Sequence, residues 1–229
     1  MTWTARWPRS RDLVAFAPYV IVSVIDIIGS AVGEPAIAAA VKPLLMPLLA
    51  IPFLLLVGRN SMRISVVGTI ALLFAWLGDI ASDFIVMLAF FLCMQLAYVV
   101  LFAWPARMRR PRIWSAVYAV WWLGLVALIG PQAGALLVPV AVYGLALGAM
   151  AVFATGTNAI AAVGSAVFLV SDSVLGLAHF LPAFAFAGHD AVVMLTYTVG
   201  QLLIVAGVIR VVRMRAAAGT QPSSELTPA

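Results

Sequence analysis

This sequence predicts an all-α fold, a polytopic bundle of eight transmembrane helices, and three observations predict it. Hydrophobic residues make up 65% of the 229 residues and charged residues only 9%, where an ordinary soluble domain carries about 25% charged residues. The apolar stretches run to span length without period-two alternation, a pattern that a bilayer accepts as helices rather than barrel strands. Every Lys or Arg outside those stretches falls on one side of an eight-helix arrangement.

The first helix is expected at 12–32. Its basic start, RWPRSR, followed by an apolar run has the general form of a signal peptide. Asp26 interrupts the apolar part, however, and LVAFAPYVIVSVIDIIGSAV is span length, which favours a retained helix. Gly33-Glu34-Pro35 separates it from a second helix at 36–57, and Gly58-Arg59-Asn60-Ser61 precedes a third at 64–82. The fourth, at 84–104, ends in the basic PARMRRPR. The fifth, at 112–130, passes through Gly130-Pro131-Gln132 into the sixth at 132–153. Thr155-Gly156-Thr157-Asn158 precedes the seventh at 158–180, and Ala187-Gly188-His189-Asp190 the eighth at 190–212. Residues 12–213 thus read as one membrane domain behind a basic segment, 1–11. The small, polar, Pro-containing tail over 214–229 is expected to be disordered.

Arg6, Arg9 and Arg11 precede the first helix, and Arg59 and Arg63 lie between the second and third. Arg107, Arg109, Arg110 and Arg112 join the fourth to the fifth, and Arg210, Arg213 and Arg215 close the eighth. Lys42 is the sole exception. Cations gather on the cytoplasmic side of membrane proteins, so both termini are expected in the cytoplasm of a bacterial inner-membrane type of protein. The net charge of +5 follows from this topology signal and is no sign of a nucleic-acid partner.

Four ionisable residues interrupt the apolar runs: Asp26, Lys42, Asp79 and Asp172. A charge at the centre of a membrane helix costs on the order of 2.5–3.5 kcal/mol on insertion scales, so such residues face the bundle interior and mark sites or pathways. Counting about 1.5 Å of rise per residue puts all four at similar depth, in the outer half of the bilayer. Gln95, Tyr197 and Gln201 reach the same layer.

Plainer roles compete for each residue. Asp83 shares a helix face with Asp79 but falls at an interface, where a carboxylate is simply solvated. Lys42 precedes Pro43, and it either neutralises a carboxylate or holds a phosphate. His179 and His189 lack metal-site spacing, and no metal or cofactor is expected. Lone Cys93 reads as a packing residue. The GxxxG pairs Gly29/Gly33 and Gly144/Gly148 read as close helix packing, and Trp104 and Trp114 as part of an interfacial belt. No P-loop, dinucleotide fingerprint, GxSxG elbow or HExxH occurs, which argues against a nucleotide motor, a serine hydrolase or a zinc protease.

KPLLMPLL, LLFAWLGDIASDF, FFLCMQLAYVVLF, AVFLVSDSVLG and YTVGQLLIVAG, in that order, resemble the YhhN-like lysoplasmalogenase family over nearly the whole bundle. The resemblance implies an eight-helix membrane hydrolase that cleaves the vinyl ether bond of lysoplasmalogens, giving a fatty aldehyde and a glycerophospho-alcohol. The positions it carries over are Lys42, Gly78, Asp79, Gln95, Tyr98, Ser171, Asp172, Tyr197 and Gln201. Ser82 departs from it, since the family favours an apolar residue there. The implied partners are a lysophospholipid substrate and bilayer lipid.

The residues suit that chemistry on their own terms. Vinyl ether hydrolysis begins by protonating the β-carbon, and water captures the resulting oxocarbenium ion. One carboxyl must be neutral to donate and a second ionised to stabilise the cation, and unequal neighbours split two aspartates into those roles. Asp79 and Asp172 are the expected pair, with Lys42, Asp26, Asp83, Gln95, Tyr98, Ser171, Tyr197 and Gln201 binding substrate or tuning them. The alternatives are a small proton-coupled transporter or lipid flippase that uses the same aspartates as a relay, and a scaffold whose charges merely pair.

Overall fold

A computed structural model describes residues 14–58 and 61–219. Its α-helices are α1 (Ala17–Val32), α2 (Pro35–Val57), α3 (Met62–Ile80), α4 (Phe84–Ala103), α5 (Val117–Ala133), α6 (Leu137–Ala154), α7 (Ala159–Phe180) and α8 (His189–Gly219), and no strand occurs among the described residues. The expected Arg6, Arg9, Arg11 and Arg59 and the tail beyond Gly219 lie outside the described residues.

Large apolar side chains cover the outside of the bundle: Ile21, Leu55, Val120 and Val138 are 59–71% exposed. A soluble protein rarely exposes such a surface, whereas lipid covers it at no cost. Six segments are long and apolar enough to cross a membrane: 36–57, 62–80, 84–103, 113–154, 159–180 and 189–218. The chain therefore has the form of an integral membrane helical bundle. Eight separate full-length spans are not what the described residues hold. α1 has only 16 helical residues, because Pro18 lacks an N–H and is accommodated in a first turn. The expected fifth and sixth spans form one continuous helical segment of 42 residues. That segment folds back on itself, since the Trp122 indole donates to the Ala141 carbonyl at 2.9 Å. The reversal sits at Gly134, whose φ is +53°, and not at Gly130-Pro131 as expected. Pro131 leaves only one carbonyl of α5 without its N–H partner, whereas the reversal needs a residue that tolerates positive φ.

α2 carries Pro43, Pro47 and Pro52 and still runs unbroken. Pro47 cannot donate to the carbonyl of Pro43, and the Trp76 indole of α3 donates to that oxygen instead, at 2.9 Å. α8 is the innermost helix, with 56% of its apolar window buried against 28–39% in the others. It packs on α1, α2 and most extensively on α7. Along that seam a Cβ at Gly164 would meet the backbone of Ile204 at 2.7 Å, and one at Gly207 the backbone of Ala161 at 2.6 Å. The tightest helix approach thus lies at glycines other than the predicted pairs. Gly144 and Gly29 do pack closely, on Trp122 and Ile37, but Gly33 terminates α1 with φ +73° and Gly148 has no neighbour nearer than 3.7 Å. α8 also continues to Gly219, so residues 214–219, expected in the tail, are helical.

Short connections make successive helices antiparallel. The 104–116 link joins the 155–157 turn through Met108 and Arg109, whose N–H groups donate to the Gly156 carbonyl at 3.1 and 2.9 Å. One end of the bundle therefore carries Gly58, residues 61–63, 104–116 and 155–158, and the end of α8. Every described Lys or Arg except Lys42 belongs to this half, and every described Asp or Glu to the other.

Candidate functional site

The charged residues inside the bundle occupy the half opposite the arginines: Asp26 and Asp79 toward the ends of α1 and α3, Lys42 in the first half of α2 and Asp172 just past the middle of α7, with Tyr197 in the first half of α8 and Gln95 near the middle of α4. They form two hydrogen-bonded clusters. In the first, the Tyr197 hydroxyl donates to Asp79 Oδ2 at 2.8 Å. Lys42 and Asp26 are electrostatic neighbours of Asp79, but no ion pair within 4.0 Å joins Lys42 to either carboxylate among the described residues. Both oxygens of Asp26, which is fully buried, and Asp79 Oδ1 find no hydrogen-bond partner among the described residues. Tyr19 of α1 closes this cluster from below, donating to the Thr198 carbonyl of α8 at 2.8 Å.

The second cluster surrounds Asp172. Tyr143 of α6 donates to its Oδ2 at 2.6 Å, and Gln95 of α4 donates to the same oxygen at 3.3 Å. Ser171 turns away and donates to the Val193 carbonyl of α8 at 2.9 Å, which fixes the face that Asp172 presents. Asp172 and Tyr143 line a pocket whose other walls include Phe84, Leu88, Ile129, Leu147 and Phe180. Its volume is about 40 Å³, room for a water molecule or two. A lipid chain enters only by displacing those side chains.

Between the clusters runs a seam of paired polar groups. Gln201 lies one turn beyond Tyr197 on α8 and accepts from the Tyr98 hydroxyl at 2.7 Å, while its Nε2 approaches Met94 Sδ at 3.2 Å. Tyr98 and Gln95 lie three apart on one face of α4, so the seam returns to Asp172. The Phe91 and Phe168 rings flank Tyr197 at 5.9 and 5.7 Å. Gly78 admits this packing, since a Cβ there would meet the Phe91 ring at 3.0 Å.

The structure therefore gathers nine of the residues singled out in the sequence into one layer but not around one cavity: Asp172 reaches the pocket, and Asp79, Lys42 and Asp26 do not line it. Asp83 stands apart. It caps α4, accepting from the Ile85 and Val86 N–H groups at 2.9 Å each, an ordinary role for an aspartate at a helix start. The sequence reading missed Tyr143. Its only signal there is a hydroxyl inside the apolar run LVPVAVYGLALG, seven residues into a helix.

The profile of the YhhN family matches residues 37–208, a stretch that runs from α2 to most of α8 and contains the Asp172 cluster and, of the first cluster, Lys42, Asp79 and Tyr197, while Asp26 and Tyr19 of α1 precede it. The chain belongs to the YhhN family. No curated protein and no solved structure matches it. The matched stretch includes Lys42, Asp79, Gln95, Asp172 and Tyr197, of which Asp79, Gln95 and Tyr197 are buried and Lys42 and Asp172 partly buried. Among the described residues no group of three or more His, Cys, Asp or Glu side chains is placed to hold a metal ion.

Proposed function

We propose that this YhhN-family protein is a membrane hydrolase of lysoplasmalogenase type, cleaving the vinyl ether bond of a lysophospholipid to a fatty aldehyde and a glycerophospho-alcohol. The observation that carries the reading is the Asp172 carboxylate lining an apolar-walled pocket, held by Tyr143 and Gln95. Apolar walls suit an alkenyl chain once their side chains move apart to admit it, and a carboxyl among them suits a reaction that begins with proton delivery to carbon.

The steps balance with water as the only further reactant. Asp172 in its neutral form gives its proton to the β-carbon of the vinyl ether, and the double-bond electrons form the new C–H bond. The resulting carboxylate lies beside the oxocarbenium ion and stabilises it. It then takes a proton from the water that attacks the α-carbon, which regenerates the acid. The hemiacetal collapses as its hydroxyl proton passes to the departing glycerol oxygen. Tyr143 and Gln95 orient the carboxyl. Asp79, with Tyr197, Lys42 and Asp26, forms the second charged centre, joined to Asp172 through Gln201, Tyr98 and Gln95. In this reading the layer lies in the outer half of a bacterial inner membrane, with both termini cytoplasmic.

The transporter reading gains less support. Transport sites favour broken helices at the binding layer, and α1, α2, α4, α7 and α8 pass through this layer unbroken, while α3 ends one residue past Asp79.

The deciding experiment is aldehyde release from a lysoplasmalogen by the detergent-purified chain. Wild type is expected to release aldehyde, and Asp172→Asn to lose about 10²–10⁴-fold in rate, the usual worth of a general acid or base. Absence of aldehyde from every lysoplasmalogen offered to folded wild type, together with proton-driven solute uptake, would establish the transporter instead.

A further inference from the structure

The arginine-rich end of the bundle holds a groove of about 600 Å³ between the start of α3, the end of α4 and the last turns of α8. That size lies within the range of ligand pockets. Two arginines face it, and both are held in place by the protein. The Arg215 guanidinium donates to the Pro105 carbonyl at 2.5 Å and to the Arg107 carbonyl at 3.1 Å. A guanidinium has five N–H groups, so most of its donors remain. The Arg63 guanidinium stacks over the Trp104 ring at 5.0 Å from its centroid. Among the described residues neither arginine meets a carboxylate within 4.0 Å, and every described Asp or Glu belongs to the opposite half.

We propose that this groove binds the headgroup of an anionic glycerophospholipid from the leaflet at the arginine-rich end. Two fixed guanidinium groups that meet no carboxylate among the described residues call for an anion with several acceptor oxygens, which a phosphate provides. The groove walls identify its source. Met62 and Trp104 are 66% and 64% exposed beside the arginines, and Pro105, Val212 and Ala216 complete an apolar side. An inorganic phosphate has no use for that side, whereas the glycerol and first acyl carbons of a lipid cover it. Tryptophan prefers this headgroup depth, and basic pockets between helices at a membrane surface take anionic headgroups. The site is independent of the hydrolase reading, since Asp172 and its pocket lie in the other half of the bundle.

The test uses the full chain in nanodiscs containing equal amounts of phosphatidylglycerol and phosphatidylcholine, with retained lipid counted by native mass spectrometry. Wild type and Arg110→Gln, a loop variant outside the groove, are expected to keep phosphatidylglycerol in preference. Arg63→Gln with Arg215→Gln should weaken that preference on the order of tenfold. Arg63→Gln alone, which removes no hydrogen bond to the backbone, should weaken it severalfold and decides the matter if the double variant does not fold. Equal retention of both lipids by wild type overturns the proposal, as does an Arg63→Gln protein that behaves like Arg110→Gln. Displacement of the lipid by inorganic phosphate at equal concentration would make the groove a phosphate site and overturn the lipid assignment.

Discussion

Asp172 accepts from Tyr143 and Gln95 and reaches a pocket, while Asp79 accepts from Tyr197 and has Lys42 and Asp26 for electrostatic neighbours. That difference in company sets the test of whether they act together. If the seam through Gln201, Tyr98 and Gln95 makes them one unit, Asp79→Asn and Asp172→Asn should each abolish turnover and the double variant should be little worse than either, as for residues that work together. Fully multiplicative losses in aldehyde release would separate them. Tyr143→Phe removes only a hydroxyl, so it should lower kcat about tenfold with little change in KM if Tyr143 orients the carboxyl. A raised KM with unchanged kcat would make it a wall of the pocket and no more. The two aspartates were legible in the sequence because a carboxylate inside an apolar run is costly and therefore informative. Tyr143 was not, because a tyrosine in such a run costs little and reads as packing. Asp83 misled for the opposite reason: four residues from Asp79, it suggested a shared face, but α3 ends at Ile80 and Asp83 begins a new helix as its cap.

Elements were legible to within a few residues wherever a breaker coincided with a change in hydropathy, as at Gly58 and at Asp83. They were less so where the chemistry of the turn depended on one backbone angle. Gly130-Pro131 is the stronger turn signal on paper, yet Gly134 makes the reversal. Helix contacts were harder still. A glycine pair four apart announces a possible close approach, but Gly164, Gly200 and Gly207 achieve it on two helices, at spacings that no single-helix motif records. There the missing side chains matter. Gly207→Ala would drive a Cβ to 2.6 Å from Ala161 backbone nitrogen and 2.8 Å from its Cβ, and rigid backbone cannot yield as a flexible side chain can. Such overpacking costs about 1–3 kcal/mol, more than the roughly 1 kcal/mol that alanine gains over glycine in helix propensity. Gly148→Ala, with its nearest neighbour at 3.7 Å, keeps only the gain. Thermal unfolding in detergent should therefore show a lowered midpoint for Gly207→Ala and an unchanged or raised one for Gly148→Ala. The reverse order would mean that α7 and α8 do not meet at these glycines.

At the scale of the molecule, charge is segregated along the bundle. The described arginines occupy one half, and the described carboxylates, with Lys42, the other. Such an arrangement is a topology signal before it is a functional one, because cationic loops resist translocation. It was readable from the sequence without exact helix boundaries, since the alternation of basic and non-basic connections survives an error of a few residues at any helix end. The span count depends on α1, whose 16 helical residues cover about 24 Å, a little under the hydrocarbon core. Val20, Ile21, Val24, Ile25 and Ile28 are nonetheless 41–59% exposed along it, an apolar outer surface suited to lipid, and it packs antiparallel on α2 and against α8. These features support a crossing by α1, with the turn of residues 14–16 adding to the length. An enzymatic reporter fused after Arg215, active only in the cytoplasm, should then be active, and one fused ahead of the first helix should agree with it. A reporter placed in the 181–188 connection should show the opposite location. Activity after Arg215 with a periplasmic amino terminus would mean that α1 lies along the surface. The chain would then cross an odd number of times, and the Asp26–Lys42 region would open toward the interface instead of closing the buried layer from one side.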